Sequence, residues 1–347
     1  MFYMCRKLLI LIFFLCLCAG LDAQIVVSYD RPSKRELKKA VDVVLHKTTC
    51  SCADREARIK AMSVVQRELN NFYPEQWREY KALDDRKAVA VLERNGSLYF
   101  YRKAMDKVLS ELESTQVERG SVALWNLYNM GYIIKTPSHV FAIDLVHKHM
   151  DLLAPCLDFV LITHRHRDHG SLSEFEAFAA AGVPVYAGYI PSEKPESLVW
   201  NYIEDGQTMT IGGLTITGKR ADHHRDRGFR MITVYEVDCG DDTGNTVIFH
   251  TGDACAYEQF GPQKPVDFFI FHTAVGLDIQ KAIDSIRPRY AVFSHAWELA
   301  HKVEQYRWTI DDLLDRSSRI ENFPAERILL PCWGEKITYF SIPSMIE

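Results

Sequence analysis

The stretch Thr163-His164-Arg165-His166-Arg167-Asp168-His169-Gly170 comes directly after the apolar run Phe159-Val160-Leu161-Ile162. Three imidazoles and one carboxylate within six residues of loop can converge only if something binds them. With thirteen histidines in the chain, a chance match to those four positions is on the order of one in a thousand. The bland alternative is a solvated polar loop. A set of imidazole and carboxylate without thiolates is a borderline-hard donor set, for which zinc is expected and manganese or iron are the alternatives. From an extended segment His164 and His166 can reach one ion, while Asp168 and His169, past the turn, can reach a second.

Working outward, short β-rich runs bounded by Gly, Pro or Asn begin after Gly120: SVALWNLYN, GYIIKT and HVFAIDL, then LDFVLITH itself. They predict strands. A helix is predicted at SEFEAFAAAG, followed by strands at VPVYAG, GLTITGK, RMITVYEVD, NTVIFHTGD, DFFIFH, RYAVFSH and RILLP. A second helix, LDIQKAIDSI, falls between the two histidine-ended strands. Strands whose ends carry His and Asp onto loops predict an α/β sandwich with its site along one sheet edge.

The motif resembles the signature of the metallo-β-lactamase superfamily, over roughly Gly120 to Phe340. That resemblance implies an αββα sandwich. It also implies three further groups in order, each after a strand: a third metal histidine, a bridging Asp and a last histidine. Ala221-Asp222-His223-His224 supplies His223 as the third ligand, with His224 as the alternate; Thr251-Gly252-Asp253 supplies the bridge; Ser294-His295 supplies the last ligand. The implied metal set is His164, His166, Asp168, His169, His223, Asp253 and His295, holding two divalent ions. In the implied mechanism a bridging hydroxide attacks a lactone, phosphodiester or similar ester. Asp253 holds the bridge, and Asp168 binds metal and orients the nucleophile or passes on a proton. Asp144 is similar to an acidic residue that closes an early strand in the family, and a structural cap is the equal alternative. The strings HTGDA and SHAW are closest to the branch of ascorbate-phosphate lactonase-like and phospholipase D-like hydrolases.

Two other functions compete. An exported β-lactamase would carry a cysteine where Asp253 stands, and Cys255 lies only two residues on. An inactive binding module of the same fold has no reason to keep the whole ligand set. His272 is expected near the second ion or hydrogen-bonded behind it. Arg225, Arg227 and Arg230 either meet an anionic substrate or form a solvated loop, and Tyr257, Trp297 and Trp333 either wall a pocket or pack.

The chain of 347 residues, 47% hydrophobic and 25% charged with a formal net charge of −5, has room for one large core and an accessory segment. Its acidic balance gives no pull toward nucleic acid. Residues 1–23 place Arg6 and Lys7 before an apolar run, Leu8 to Cys18, that is too short to span a bilayer comfortably. A cleaved signal peptide is therefore expected, with export to the periplasm or beyond, a small-molecule substrate and no stable membrane anchor. Residues 24–117 are expected to form a helical accessory segment, from lysine-, glutamate- and leucine-rich spacing between Ser33 and Thr115, with a helix starting near Ser97 in preference to a hairpin at Asn95-Gly96. Residues 118–347 are expected to form the catalytic domain. Cys50, Cys52, Cys156, Cys239, Cys255 and Cys332 remain in the mature chain, as buried thiols or bridges.

Overall fold

The computed structural model describes residues 30–50, 55–223, 231–303, 305 and 307–341. The predicted signal peptide, Cys52, His224, Arg225, Arg227 and Arg230 lie outside the described residues.

The first part of the chain is helical. Ser33 accepts from the Glu36 amide and starts α1, Lys34–Asp42, which runs on as a π-turn over Val43–Lys47. There follow α2 (Arg55–Leu69), α3 (Pro74–Ala82), α4 (Asp85–Leu92) and α5 (Gly96–Ser114). The helix at Asn95-Gly96 starts one residue before the expected Ser97, because the Asn95 side chain accepts from the Leu98 amide and so takes the N-cap position.

Strands take over at β1 (Ser121–Tyr128), β2 (Gly131–Lys135), β3 (Val140–Ile143), β4 (Phe159–Ile162), β5 (Val185–Ala187) and β6 (Trp200–Tyr202). With β14 (Glu335–Phe340) they build one seven-stranded sheet, ordered β14-β1-β2-β3-β4-β5-β6. The second sheet, ordered β13-β12-β11-β10-β9-β8-β7, contains β7 (Gln207–Ile211), β8 (Leu214–Ala221), β9 (Ile232–Asp238), β10 (Val247–His250), β11 (Phe268–His272), β12 (Tyr290–Ser294) and β13 (Ile328–Leu329). Alternate side chains such as Leu124, Ile134, Phe141, Phe159, Leu161, Ile216, Val237, Ile248, Phe268, Ile270 and Val292 form one buried cluster between the sheets. The other faces bury against helices: α6 (Met150–Leu153), α7 (Leu172–Ala181), α8 (Ile279–Ile286), α9 (Ile310–Ser318) and the helical segment. This is the expected layered α/β sandwich.

The helical segment docks through an aromatic cluster. Phe100 stacks on Trp333 at 5.0 Å, and Tyr101 meets Tyr128 of β1 edge to face at 5.3 Å. Trp297 and Trp333, candidate pocket walls in the sequence, are buried packing residues here, and Trp297 donates to Gln66 of α2 at 2.5 Å. Arg58 of α2 is buried with Glu335 of β14 and also donates to the Leu330 carbonyl at 2.9 Å. Arg307 donates to the carbonyls of Leu69 and Phe72 at 2.7 and 2.8 Å. Cys50, Cys156, Cys239, Cys255 and Cys332 are free thiols.

Candidate metal centre

Strands β10, β11 and β12 are parallel, and β8 is related to β10 by two antiparallel pairings through β9, so all four run the same way. Their carboxyl ends open on one edge of the sandwich, where strand-end loops are free to carry polar groups. His223 follows β8, Asp253 follows β10 and His295 follows β12, while the first sheet delivers His164 after β4.

These loops bring the seven expected residues together as two groups that share one carboxylate. His164, His166, His223 and Asp253 form the first, and Asp168, His169, Asp253 and His295 the second. Asp253 Oδ2 lies 3.7 Å from His164 Nε2 and 3.5 Å from His223 Nε2; its Oδ1 lies 3.2 Å from His169 Nε2 and 4.0 Å from His295 Nε2. Each oxygen thus faces a different histidine group. The approach needs glycine at 252: with φ at 51°, its Cα sits so close to Thr163 that a Cβ would fall 2.6 Å from Thr163 Oγ1.

A buried carboxylate orients the ring of His169. Asp144, fully buried, accepts from the Thr163 amide at 2.8 Å, from Thr163 Oγ1 at 2.7 Å and from His169 Nδ1 at 2.7 Å. Thr163 Oγ1, its proton given to Asp144, lies 3.0 Å from His164 Nδ1 and can accept there. Both rings are thereby held with Nδ1 protonated and the Nε2 lone pair turned to the site. The sequence left Asp144 between a cap and a family-like role. Its three bonds make it a positioning residue for His169.

The donor set fits divalent cations. His164 Nε2, His169 Nε2 and Asp253 Oδ1 are buried without a hydrogen-bond partner, and buried polar atoms are rarely left so unless a ligand satisfies them. Electrostatics agree. Burial, followed by the neighbouring charge of His169, holds His164 well below the usual histidine range, so it presents neutral imidazole. Burial works against charge on His169 too, but Asp253, Asp144 and Asp168 together outweigh it and raise this one histidine well above its usual value. Asp253 is held well below the carboxylate range, although burial opposes this, by His169 and His272. Three carboxylates around one imidazole call for positive charge at this spot.

His272 stacks on His295, ring centroids 3.7 Å apart, and its Nδ1 accepts from the Ala274 amide at 2.9 Å. It therefore supports the second group from behind. His295 and Trp297, on the loop after β12, both take left-handed backbone angles, with φ of 70° and 65°, which is strained for non-glycine residues. Cys255 donates its thiol to the Asp222 carbonyl at 3.3 Å and belongs to neither group.

Beside the second group lies a cleft of about 880 Å³. Asp168 lines it, as do Tyr128, Glu298 and Tyr189, and Trp77, Arg78 and Lys81 from α3. The helical segment is thus a wall of the cleft, a role that its regular spacing gave no sign of.

Residues 126–292 match the family model described as a beta-lactamase superfamily domain. No curated protein matches the chain. Among solved structures, the chain is similar to Igni18, a metallo hydrolase from Ignicoccus hospitalis, with 14% identity, TM-score 0.47, and coverage of 63% of this chain and 98% of that one. It is also similar to a possible metal-dependent hydrolase from Veillonella parvula, with 12% identity, TM-score 0.48 and coverage of 64% and 99%. A third likeness is to CmlA, a diiron beta-hydroxylase from Streptomyces venezuelae, with 12% identity, TM-score 0.47 and coverage of 65% and 55%.

Proposed function

We propose that this chain is a metal-dependent hydrolase of the metallo-β-lactamase superfamily and that it opens a lactone or cleaves a phosphodiester or similar ester. The observation that carries the reading is Asp253, whose two oxygens face two separate histidine groups.

A pair of divalent cations, when bound, supplies a water nucleophile at neutral pH and stabilises charge on the leaving oxygen. His164, His166, His223 and Asp253 would hold one of them, and Asp168, His169, Asp253 and His295 the other. Asp168 reaches the cleft directly. Its Oδ2 lies 3.2 Å from Asn129 Nδ2, which donates to it, and 3.2 Å from His295 Nε2, so the carboxylate is fixed where it can steer the nucleophile and take up its proton. Asp144 keeps the His169 ring from rotating. Zinc suits the donor set, with manganese or iron as alternatives.

The strings HTGDA and SHAW support placing the chain beside the ascorbate-phosphate lactonase-like and phospholipase D-like branch. We take the protein to be exported on its basic and apolar N-terminal residues and to act on a small molecule. The β-lactamase reading is weakened because the Cys255 thiol is engaged with the Asp222 carbonyl. Elemental analysis of purified protein, run beside hydrolysis of lactone, phosphodiester and β-lactam substrates, tests the reading. About two ions per chain and turnover of the first or second class are expected. A folded, metal-supplied preparation that holds only traces of metal would overturn it.

A further inference from the structure

The cleft beside the second ligand group carries more positive charge than the chain as a whole, whose formal net charge is −5. Arg165 and Arg167, the two residues interleaved with the motif's ligands, both line it and are both exposed. Arg165 stands at a bend, and Arg167 opens the turn that the His169 and Gly170 amides close on the His166 carbonyl, at 3.0 and 3.2 Å. Neither arginine makes an ion pair or hydrogen bond with another described residue. The other cations of the cleft are engaged. Lys81 pairs with Glu174 at 2.9 Å, and Arg78 pairs with Glu75 at 2.7 Å on the surface.

The carboxylates of the cleft do not cancel the two arginines. Glu298 is fully buried and accepts from the amides of Ala300 and His301, from His301 Nδ1 and from Tyr128 Oη. Asp168 belongs to the second ligand group. Glu193 is left as the one further acid lining the cleft among the described residues. Gly170, Ser171, Leu172 and Ser173, at the amino end of the ten-residue helix α7, line it too, and a helix N-terminus adds partial positive charge.

We infer that Arg165 and Arg167 seat an oxyanion of phosphoryl class, carried by the substrate away from its scissile bond. This rests on the hydrolase reading above. Guanidinium suits the role, since its planar fork of donors matches the oxygens of phosphate and phosphonate, and each contact is charge-assisted. The neutral part of the substrate then extends toward Asp168, with Trp77 and Tyr128 as apolar walls.

Three aryl esters that differ only at the far end provide the test: 4-nitrophenyl butyrate, the mono-4-nitrophenyl ester of succinate and 4-nitrophenyl 3-phosphonopropanoate. With metal-replete enzyme, kcat/KM is expected to rise along that series, mostly through KM, and the phosphonate preference is expected to fall with added salt. In the double variant R165Q/R167Q the ratio of kcat/KM for the phosphonate ester to that for the butyrate is expected to drop about tenfold or more, and R165K/R167K to fall between. Calorimetric binding of 3-phosphonopropionate to wild type and R165Q/R167Q, each with its metal removed by chelator, gives a readout without turnover. Binding by wild type that the double variant loses supports the seat even if no ester is hydrolysed, an outcome that would refute only the choice of reaction. Equal kcat/KM for all three esters in wild type, or phosphonate binding that R165Q/R167Q leaves unchanged, overturns the inference.

Discussion

Asp144→Ala isolates how much the site depends on a residue that touches no ligand. The change removes the carboxylate that accepts from three donors: the Thr163 amide, Thr163 Oγ1 and His169 Nδ1. Thr163 Oγ1 can rotate to another partner; the amide and the imidazole N–H cannot. Each buried donor left unsatisfied costs about 1–3 kcal/mol, so about 2–6 kcal/mol is expected from the two. Residue 144 also sits at φ 53°, where the left-handed conformation adds about 1–2 kcal/mol for alanine, which lacks aspartate's local hydrogen bonding. Urea denaturation of chelated protein should therefore show wild type about 3–8 kcal/mol more stable than Asp144→Ala. Asp144→Asn, which tolerates the backbone and keeps one acceptor, should lose less. Freed from its carboxylate, the His169 ring can turn its Nε2 away, and metal titration should show affinity in the second ligand group lowered by about 10–100-fold. If Asp144→Ala lost under about 1 kcal/mol and bound metal as wild type does, the orienting role given to Asp144 would be wrong.

Asp253→Ala should abolish binding of both ions and activity, whereas Cys255→Ser, which keeps a donor toward the Asp222 carbonyl, should bind metal as before; elemental analysis of the two variants decides between them. His223→Ala should lower occupancy in the first group while the second still fills, and loss confined to the second group would contradict the grouping. Arg58→Ala leaves Glu335 buried without its cation and should cost about 3–5 kcal/mol in urea denaturation; an unchanged midpoint would show that the pair does not anchor the helical segment. His147 is buried against Tyr101, with its Nδ1 accepting from the His149 amide at 3.1 Å, and burial, reinforced by His149, holds it well below the usual range. Below about pH 6.5 the unfolded chain takes up a proton that folded His147 refuses, so stability falls with pH by about 1.4 kcal/mol per unit. Chelated His147→Gln protein, denatured in urea between about pH 7.5 and about pH 5.5, should show a slope reduced by one proton, and an identical slope would count against the assignment.

What could be read in the sequence follows from how strongly each part is patterned. The ligand loops were legible because His and Asp sit directly after apolar runs, and those runs became β4, β8, β10 and β12. Helices α1 to α5 were legible as helix but not as a wall of the cleft, since Arg78 and Lys81 look like any solvated pair until α3 is docked. Strands β6 and β7 carry no apolar run, because they are edge strands whose side chains are half-buried or exposed. Strand β14 escaped for another reason: its alternation is clear at Ile337 and Tyr339, but it opens on Glu335, whose burial makes sense only once Arg58, from 277 residues earlier, is opposite. Helix α9, capped by Thr309, was also overlooked, its Asp311, Asp312 and Asp315 masking a buried face of Ile310, Leu313 and Ser317.

The pairing of β1 with β14, from Ser121 opposite Phe340 to Asn126 opposite Glu335, sets an order of events during synthesis. The helices leave the ribosome first, with Trp77, Phe100 and Tyr101 bared, and their docking surface is completed only when Trp333 and Glu335 emerge. Contacts this distant along the chain make folding slow and leave sticky intermediates. A nascent chain must therefore keep these rings shielded until β14 arrives.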